Sequence, residues 1–290
     1  MVVLWEPDKP GMQANFMKKV IIQGLALVVL FFASWFLLSK VDWITEFNIE
    51  RATKKTEEKL GDIFWESFSK TETESKELLV VNSIDSIVTK ICTANDIKRA
   101  NLKVHVLEKD EVNAFALPNG HLVIYSGLIL AVDNPEELSG VICHEIAHIE
   151  LNHVMKKLVK EMGLSVLISM TTGNISGEVI KETAKMLSSS AFDRSLEQDA
   201  DLKAVDYLVK AEIDPESLAN FLYKLSTEDH EVMKYLSWMS THPDSRDRAE
   251  YIVAHAKGRT VKNKPVLSPE TWTEVKEQLK LNEKPSKGSI

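Results

Sequence analysis

The sequence predicts a mostly α protein with a small antiparallel β-sheet, an α+β fold, behind one N-terminal transmembrane helix. Three observations carry that expectation. Apolar residues recur at helical intervals over most of the chain, strand-like alternation is confined to residues 103–127, and one charge-free apolar stretch lies near the N-terminus. The 290 residues are 44% hydrophobic, enough for one sizeable core with peripheral elements. Net charge is −8 and no basic stripe with interleaved aromatics is present, which argues against a nucleic-acid binder. Two cysteines, Cys92 and Cys143, exclude a disulfide framework. They read as buried free thiols, a single bridge staying open in an oxidising compartment.

Residues 1–19 read as a short tail. Val20–Ser39 has no charged residue and spans about 30 Å as a helix, the thickness of a bilayer's hydrocarbon. Lys18 and Lys19 precede it and Trp43 follows at an interfacial position. No A-x-A site follows, so it reads as an uncleaved anchor rather than a signal peptide. The short positive tail places the N-terminus inside and the domain across the membrane.

Residues 40–76 form a charged helical connector, with Phe47, Ile63, Phe64, Trp65 and Phe68 at loosely helical spacing. The domain proper, 77–257, opens with a core helix in "KELLVVNSIDSIVTKIC". "KVHVLE" (Lys103–Glu108), "NAFAL" (Asn113–Leu117) and "HLVIYSG" (His121–Gly127) read as strands, the last two joined by a "PNG" turn. A helix then starts at Asn134 as N-cap, with Pro135 in the first position and Glu136 and Glu137 in the first turn. It is expected to run to about Met162, where Gly163 ends it. "GLSVLISM" is too short to span a bilayer. Helices follow near 178–190 and 195–210, from the Asp214–Pro215 start, and after "HPDS" with Asp244 or Ser245 capping. Residues 258–290 hold a last helix from Ser268 and a tail.

The chemistry concentrates in "SGVICHEIAHIELNHVMKKL", Ser139–Leu158, where three histidines and two glutamates crowd an otherwise buried helix. His144, Glu145 and His148 spell H-E-x-x-H. Residues four apart lie about 40° apart round the axis and about 6 Å along it, so both imidazoles reach one point. A tetrahedral zinc takes two such nitrogens, a third protein ligand and one open position. Glu145 stands where its carboxylate can serve as general base on zinc-bound water. His153, on a continuous helix, lies half a turn away and reads as a structural or supporting residue. The metzincin alternative needs glycine at 151 and histidine at 154, where Leu151 and Val154 stand. Glu150 is also on the wrong face. Glu197 and Asp201, four apart on a later helix, offer one carboxylate for the metal and one for a ligand histidine's free N–H.

HEIAH, then Glu197-x-x-x-Asp201, then "THPDSRDR" (Thr241–Arg248), with "NAFALPNGHLVIYSGLI" upstream, resembles the gluzincin-like zinc metallopeptidases. These include HtpX, the CAAX prenyl endopeptidases, the mitochondrial Oma-type peptidase and periplasmic BepA. The resemblance covers about residues 75–256, and the single span points to the Oma/BepA branch. It implies a zincin-like metallopeptidase domain with one Zn²⁺ per chain, held by His144, His148 and Glu197. Glu145 would be the general base and Asp201 would orient a ligand histidine, foremost His144. His242 and Arg248 would stand by the active site, His242 able to approach the metal, gate the site or stabilise the oxyanion. Asn113 and Ala114 would form the edge along which an extended peptide lies. Asp199 departs from the family's usual glutamate, at a position that is not a ligand. His105, His121, His230 and His255 have no partner pattern and read as surface or structural residues.

The resulting expectation is a membrane-anchored zinc endopeptidase acting on unfolded or misassembled proteins. Its domain would lie periplasmic at a bacterial inner membrane, with the mitochondrial inner membrane as the alternative. The rival is a chaperone or assembly factor that binds clients with little proteolysis. A prenyl-peptide specialist fits less well, since one span offers no intramembrane chamber.

Overall fold

The structure, a computed structural model, describes residues 10–38, 49–227, 232–259, 261–262 and 264–283. The chain divides into two compact units, Met1–Lys54 and Lys55–Ile290. In the first, α1 runs Pro10–Leu38. It starts inside the predicted tail, with proline at the first helical position, where its missing N–H loses no bond. The described side chains of α1, Lys18 to Ala33, are all exposed. No helix is long and apolar enough to cross a membrane among the described residues. The predicted span, Val20–Ser39, runs on past Ala33, and Trp43 and Phe47 lie outside the described residues.

The second unit is mostly helical around one three-stranded sheet. After α2 (Ile49–Ser69), which begins at the end of the first unit, come α3 (Leu78–Ala94), β1 (Lys103–Leu107), β2 (Ala114–Leu117), β3 (His121–Tyr125) and α4 (Ser126–Ala131). The remaining helices are α5 (Pro135–Glu150), α6 (His153–Met162), α7 (Leu164–Thr171), α8 (Gly177–Ser189), α9 (Arg194–Lys210), α10 (Ser217–Thr227), α11 (Val232–Thr241), α12 (Ser245–Ala256) and α13 (Pro269–Glu283).

The sheet is mixed, not purely antiparallel: its order is β1-β3-β2, with β3 parallel to β1 and antiparallel to β2. The reason lies in β3 itself. Leu122 and Ile124 pack into one apolar cluster with α3 and α5, while Val123 and Tyr125 pack into another with Leu60, Phe64 and Leu158. A strand apolar on both faces belongs in the middle, so the hairpin folds back and inserts β3 beside β1. The "PNG" turn forms as expected: Leu117 pairs with His121 while Asn119 (φ 62°) and Gly120 (φ 70°) take the left-handed conformation. A Cβ on Gly120 would stand 1.9 Å from the Asn101 carbonyl oxygen.

Two helix expectations change. Ser126 and Gly127 open α4 instead of extending the strand. The long helix from Asn134 breaks after Glu150, because Asn152 adopts φ 59° and α6 restarts at His153. Asparagine tolerates that conformation better than most residues. The start of α5 follows the sequence, with Asn134 Oδ1 accepting from the Glu137 amide at 2.8 Å. Asp214 Oδ1 accepts from the Glu216 amide at 2.9 Å just ahead of α10. Asp244 sits at the cap position of α12 but caps nothing; its carboxylate pairs with Arg194 at 2.8 Å. Ser268 Oγ accepts from the Thr271 amide at 3.1 Å at the head of α13. Both cysteines are buried and free.

Candidate metal centre

The site is built where α9 and α10 pack against α5. Gly140 lets α10 come close: a Cβ there would stand 2.7 Å from the Leu218 amide nitrogen. One turn further along α5, His144 and His148 present Nε2 atoms 3.0 Å apart. Glu197, in the first turn of α9, meets them: Oε1 lies 3.3 Å from His148 Nε2 and Oε2 lies 3.6 Å from His144 Nε2. A helix N-terminus favours a carboxylate. His242, just past α11, completes the group, with Nδ1 3.3 Å from His144 Nε2 and 3.1 Å from Glu197 Oε2. Ligand atoms of these four residues all lie within 4.8 Å of one another.

That donor set suits a metal ion. Corners of a tetrahedron with bonds of about 2.0–2.1 Å stand about 3.3–3.4 Å apart, and the contacts here run from 3.0 to 3.6 Å. His144 Nδ1 lies 2.9 Å from Asp201 Oδ1; a proton on Nδ1, facing that acceptor, would leave a lone pair on Nε2. His242 Nδ1 is the fourth donor of the group.

Behind these residues lies a charged lattice. Arg248, on α12, grips Asp201 through Nε at 2.8 Å and Nη2 at 2.7 Å, and reaches Glu197 Oε2 through Nη1 at 2.7 Å. Tyr251 donates its hydroxyl to Asp201. Glu145 is fully buried, with the Ala116 backbone and His242 Nε2, 3.4 Å away, as its polar neighbours; among the described residues no side chain hydrogen-bonds its carboxylate.

Burial and the neighbouring Glu197 charge push the Glu145 carboxyl well above its ordinary range. Burial opposes ionisation of Glu197 too, but His242 and Arg248 overcome it and hold that carboxylate well below its usual value. Asp201 is likewise held low by Arg248 and His144 against its burial. Burial lowers His148 and His242 to about 4, keeping both rings neutral and able to offer lone pairs.

All four converging residues and Glu145 are at most 2% exposed. Phe192 stacks on His148, ring centroids 4.0 Å apart, and Trp238 stacks on His242 at 4.2 Å. Lys157 donates to the Ser190 carbonyl and stands 4.4 Å over the Phe192 ring. Asn113 and Ala114 are buried at the start of β2, the edge strand nearest α5. The Asn113 amide donates to the Ser188 carbonyl at 3.1 Å and to Ser237 Oγ at 3.2 Å, while α8 packs on β2.

The sequence motifs thus meet in space: His144, Glu145, His148, Glu197, Asp201, His242 and Arg248 form one cluster. His153 does not lie half a turn away; the break at Asn152 brings its Nδ1 to 3.1 Å from His148 Nδ1. Glu150 is exposed, as its face suggested. Phe192, Trp238 and Tyr251 carry no motif, and only their contacts single them out. Of the other histidines, His121 is buried in a chain with His105, His255 is half-buried near Asp206, and His230 lies outside the described residues.

Residues 79–256 match the profile of Peptidase family M48. A beta-barrel assembly-enhancing protease of Yersinia pestis is 28% identical over 187 residues, covering 57% of this chain and 38% of that protein. The mitochondrial metalloendopeptidase OMA1 of Bos taurus is 29% identical over 170 residues, covering 54% of this chain and 32% of that protein. The metalloprotease LoiP of Escherichia coli is 32% identical over 159 residues, covering 52% of this chain and 61% of that protein. The aligned part is thus about a third of the length of the first two relatives.

Proposed function

This chain belongs to Peptidase family M48, and from that premise we propose that it is a zinc-dependent endopeptidase. One observation carries the reading: His144, His148 and Glu197 converge at tetrahedral spacing beside the buried carboxylate of Glu145. Two imidazoles and one carboxylate with a fourth position to spare are the donors of a catalytic zinc site. The chemistry a bound zinc supplies is polarisation of the scissile carbonyl and a lowered pKa for water. The protein supplies the rest. Glu145 takes the proton from the attacking water on its carboxylate and passes it to the leaving amine. The raised affinity of Glu145 for a proton suits that acceptor role. Asp201 holds His144 by its Nδ1–H, and Arg248 keeps Asp201 and Glu197 ionised against their burial. His242, buried beside Glu197, would be a fourth donor; swinging away, it would leave that position free and could then face the oxyanion.

Residues 77–257 would be the metallopeptidase domain, 40–76 a connector and Val20–Ser39 a single membrane span. The uncharged run and its flanking lysines support a domain held on the far side of the membrane, periplasmic in a bacterium. Substrates would be unfolded or misassembled proteins, in keeping with a relative named for β-barrel assembly. An extended segment would add to the β2 edge at Asn113–Ala114 once α8 yields it. The near-complete burial of the converging residues favours a second reading, a client-binding factor that seldom cuts.

The deciding experiment incubates the purified full chain with an unfolded protein, with and without chelator. Chelator-sensitive cleavage supports the peptidase. Suppressed aggregation without cleavage under any condition puts the binding factor in its place. Carbonate-resistant membrane association, with protection from protease added on the cytosolic side, supports the topology; digestion from that side reverses it.

A further inference from the structure

We propose that His153 is the positioning residue of His148, its Nδ1 accepting the Nδ1–H of His148 and so aiming the His148 Nε2 lone pair at the point on which Glu197 and His144 converge. The proposal rests on the metal-centre reading above and adds a residue that the H-E-x-x-H spacing does not contain.

The geometry leaves one useful arrangement. His148 Nδ1 and His153 Nδ1 stand 3.1 Å apart, and both rings are buried. One nitrogen of that pair must carry the proton and the other a lone pair. If His153 donates, the neutral His148 ring carries its proton on Nε2, the atom that faces Glu197 at 3.3 Å and His144 at 3.0 Å. A protonated Nε2 cannot ligate. If His148 donates, its Nε2 is a lone pair, and His153 must be the acceptor with its own proton on Nε2. Only this second state can hold a metal. Among the described residues, no other hydrogen bond reaches His148 Nδ1.

The backbone is arranged for this contact. The left-handed turn at Asn152 starts a new helix at His153, five residues after His148, and swings the ring back over the end of α5. On the other side, Phe192 stacks on the His148 ring at 4.0 Å with planes 24° apart. His148 is thus fixed by a hydrogen bond at its edge and a ring on its face. The two ligand histidines differ in what holds them: His144 has the anionic Asp201, and His148 has a neutral imidazole.

Removing the acceptor leaves the His148 Nδ1–H buried and unpaired, which disfavours the metal-binding tautomer. Partners of this kind are typically worth about 10–100-fold in metal affinity. The test measures zinc affinity of the purified full chain by competition with a chromophoric chelator. His153→Leu should bind zinc about 10–100-fold more weakly. His153→Asn, whose side-chain oxygen can accept, should recover most of that loss. In the zinc-loaded wild type, ¹⁵N NMR of the imidazoles should find His153 Nδ1 unprotonated and Nε2 protonated. Wild-type affinity in His153→Leu overturns the proposal. So does a proton on His153 Nδ1 in the loaded wild type, a result that needs no variant to fold. His148→Ala separates the two levels of inference. Undiminished zinc binding by that variant removes the metal centre itself, whereas loss there with no effect at His153 removes only the positioning role.

Discussion

Phe192 lies face-on against His148, ring centroids 4.0 Å apart and planes at 24°. It belongs to the segment joining α8 to α9, which Lys157 ties down through the Ser190 carbonyl. Stacked rings of this kind are worth about 0.5–1.5 kcal/mol beyond the area they bury. That stack covers one face of His148, so Phe192→Ala should expose the site more often. The expected result is chelator stripping of zinc about 2–10-fold faster than in the wild type, in line with that energy. Unchanged stripping kinetics would mean that the stack does not guard the site.

Glu145→Gln should keep the fold and the metal, because Glu145 is not among the converging donors. The amide cannot accept a proton, and losing a general base costs on the order of 10²–10⁴ in rate. Cleavage of an unfolded protein should nearly vanish while its binding persists. A variant that cleaves at the wild-type rate sinks the proton-transfer role.

Arg248 is the buried cation shared by Glu197 and Asp201. Arg248→Leu leaves both carboxylates without it. Breaking a buried pair this way destabilises by about 3–5 kcal/mol, to be read from denaturant unfolding of apo protein. A loss within about 0.5 kcal/mol, as at an ordinary surface site, would show that the lattice adds little to stability.

A second histidine cluster should make the fold acid-labile. Lys103 Nζ stands 3.2 Å from His121 Nε2, His121 Nδ1 3.0 Å from His105 Nε2, and His105 Nδ1 2.8 Å from Glu74. Trp65 stacks on His105 at 3.4 Å, and Asp62 lies 3.6 Å from His121. A lysine donor at one end and a carboxylate at the other order both protons, and an added proton sets an N–H against a donor. Burial, with Lys103 and His105, lowers His121 from 6.5 to about 4. The unfolded chain then binds more protons between those values, so stability is full above pH 6.5 and falls as pH drops toward 4. Thermal melts of apo protein should show the midpoint falling through that window, and His121→Gln should flatten the decline. A wild-type midpoint level from pH 7 to 4 would contradict it.

Most helices were legible because their signals are local. Asn134-Pro135-Glu136-Glu137 announces the start of α5 with a cap, a proline and two acids, and the "PNG" turn announces the hairpin. The mixed sheet was less so. Alternation marks strands without naming their neighbours, and β3 took the centre because both of its faces had apolar cover.

By itself the sequence determined which side chains could meet at one point: His144 and His148 four apart on one helix, Glu197 and Asp201 four apart on another. Helix geometry makes those pairs share a face wherever the helices go. Tertiary structure alone decided that the two faces oppose each other, that Arg248 and Tyr251 close around Asp201, and that Phe192 and Trp238 cover the rings. These contacts join residues far apart in the chain, where no period relates them. His153 shows the limit most sharply. On a continuous helix it faces away from His148, and one left-handed residue, Asn152, turns it into that ring's hydrogen-bond partner.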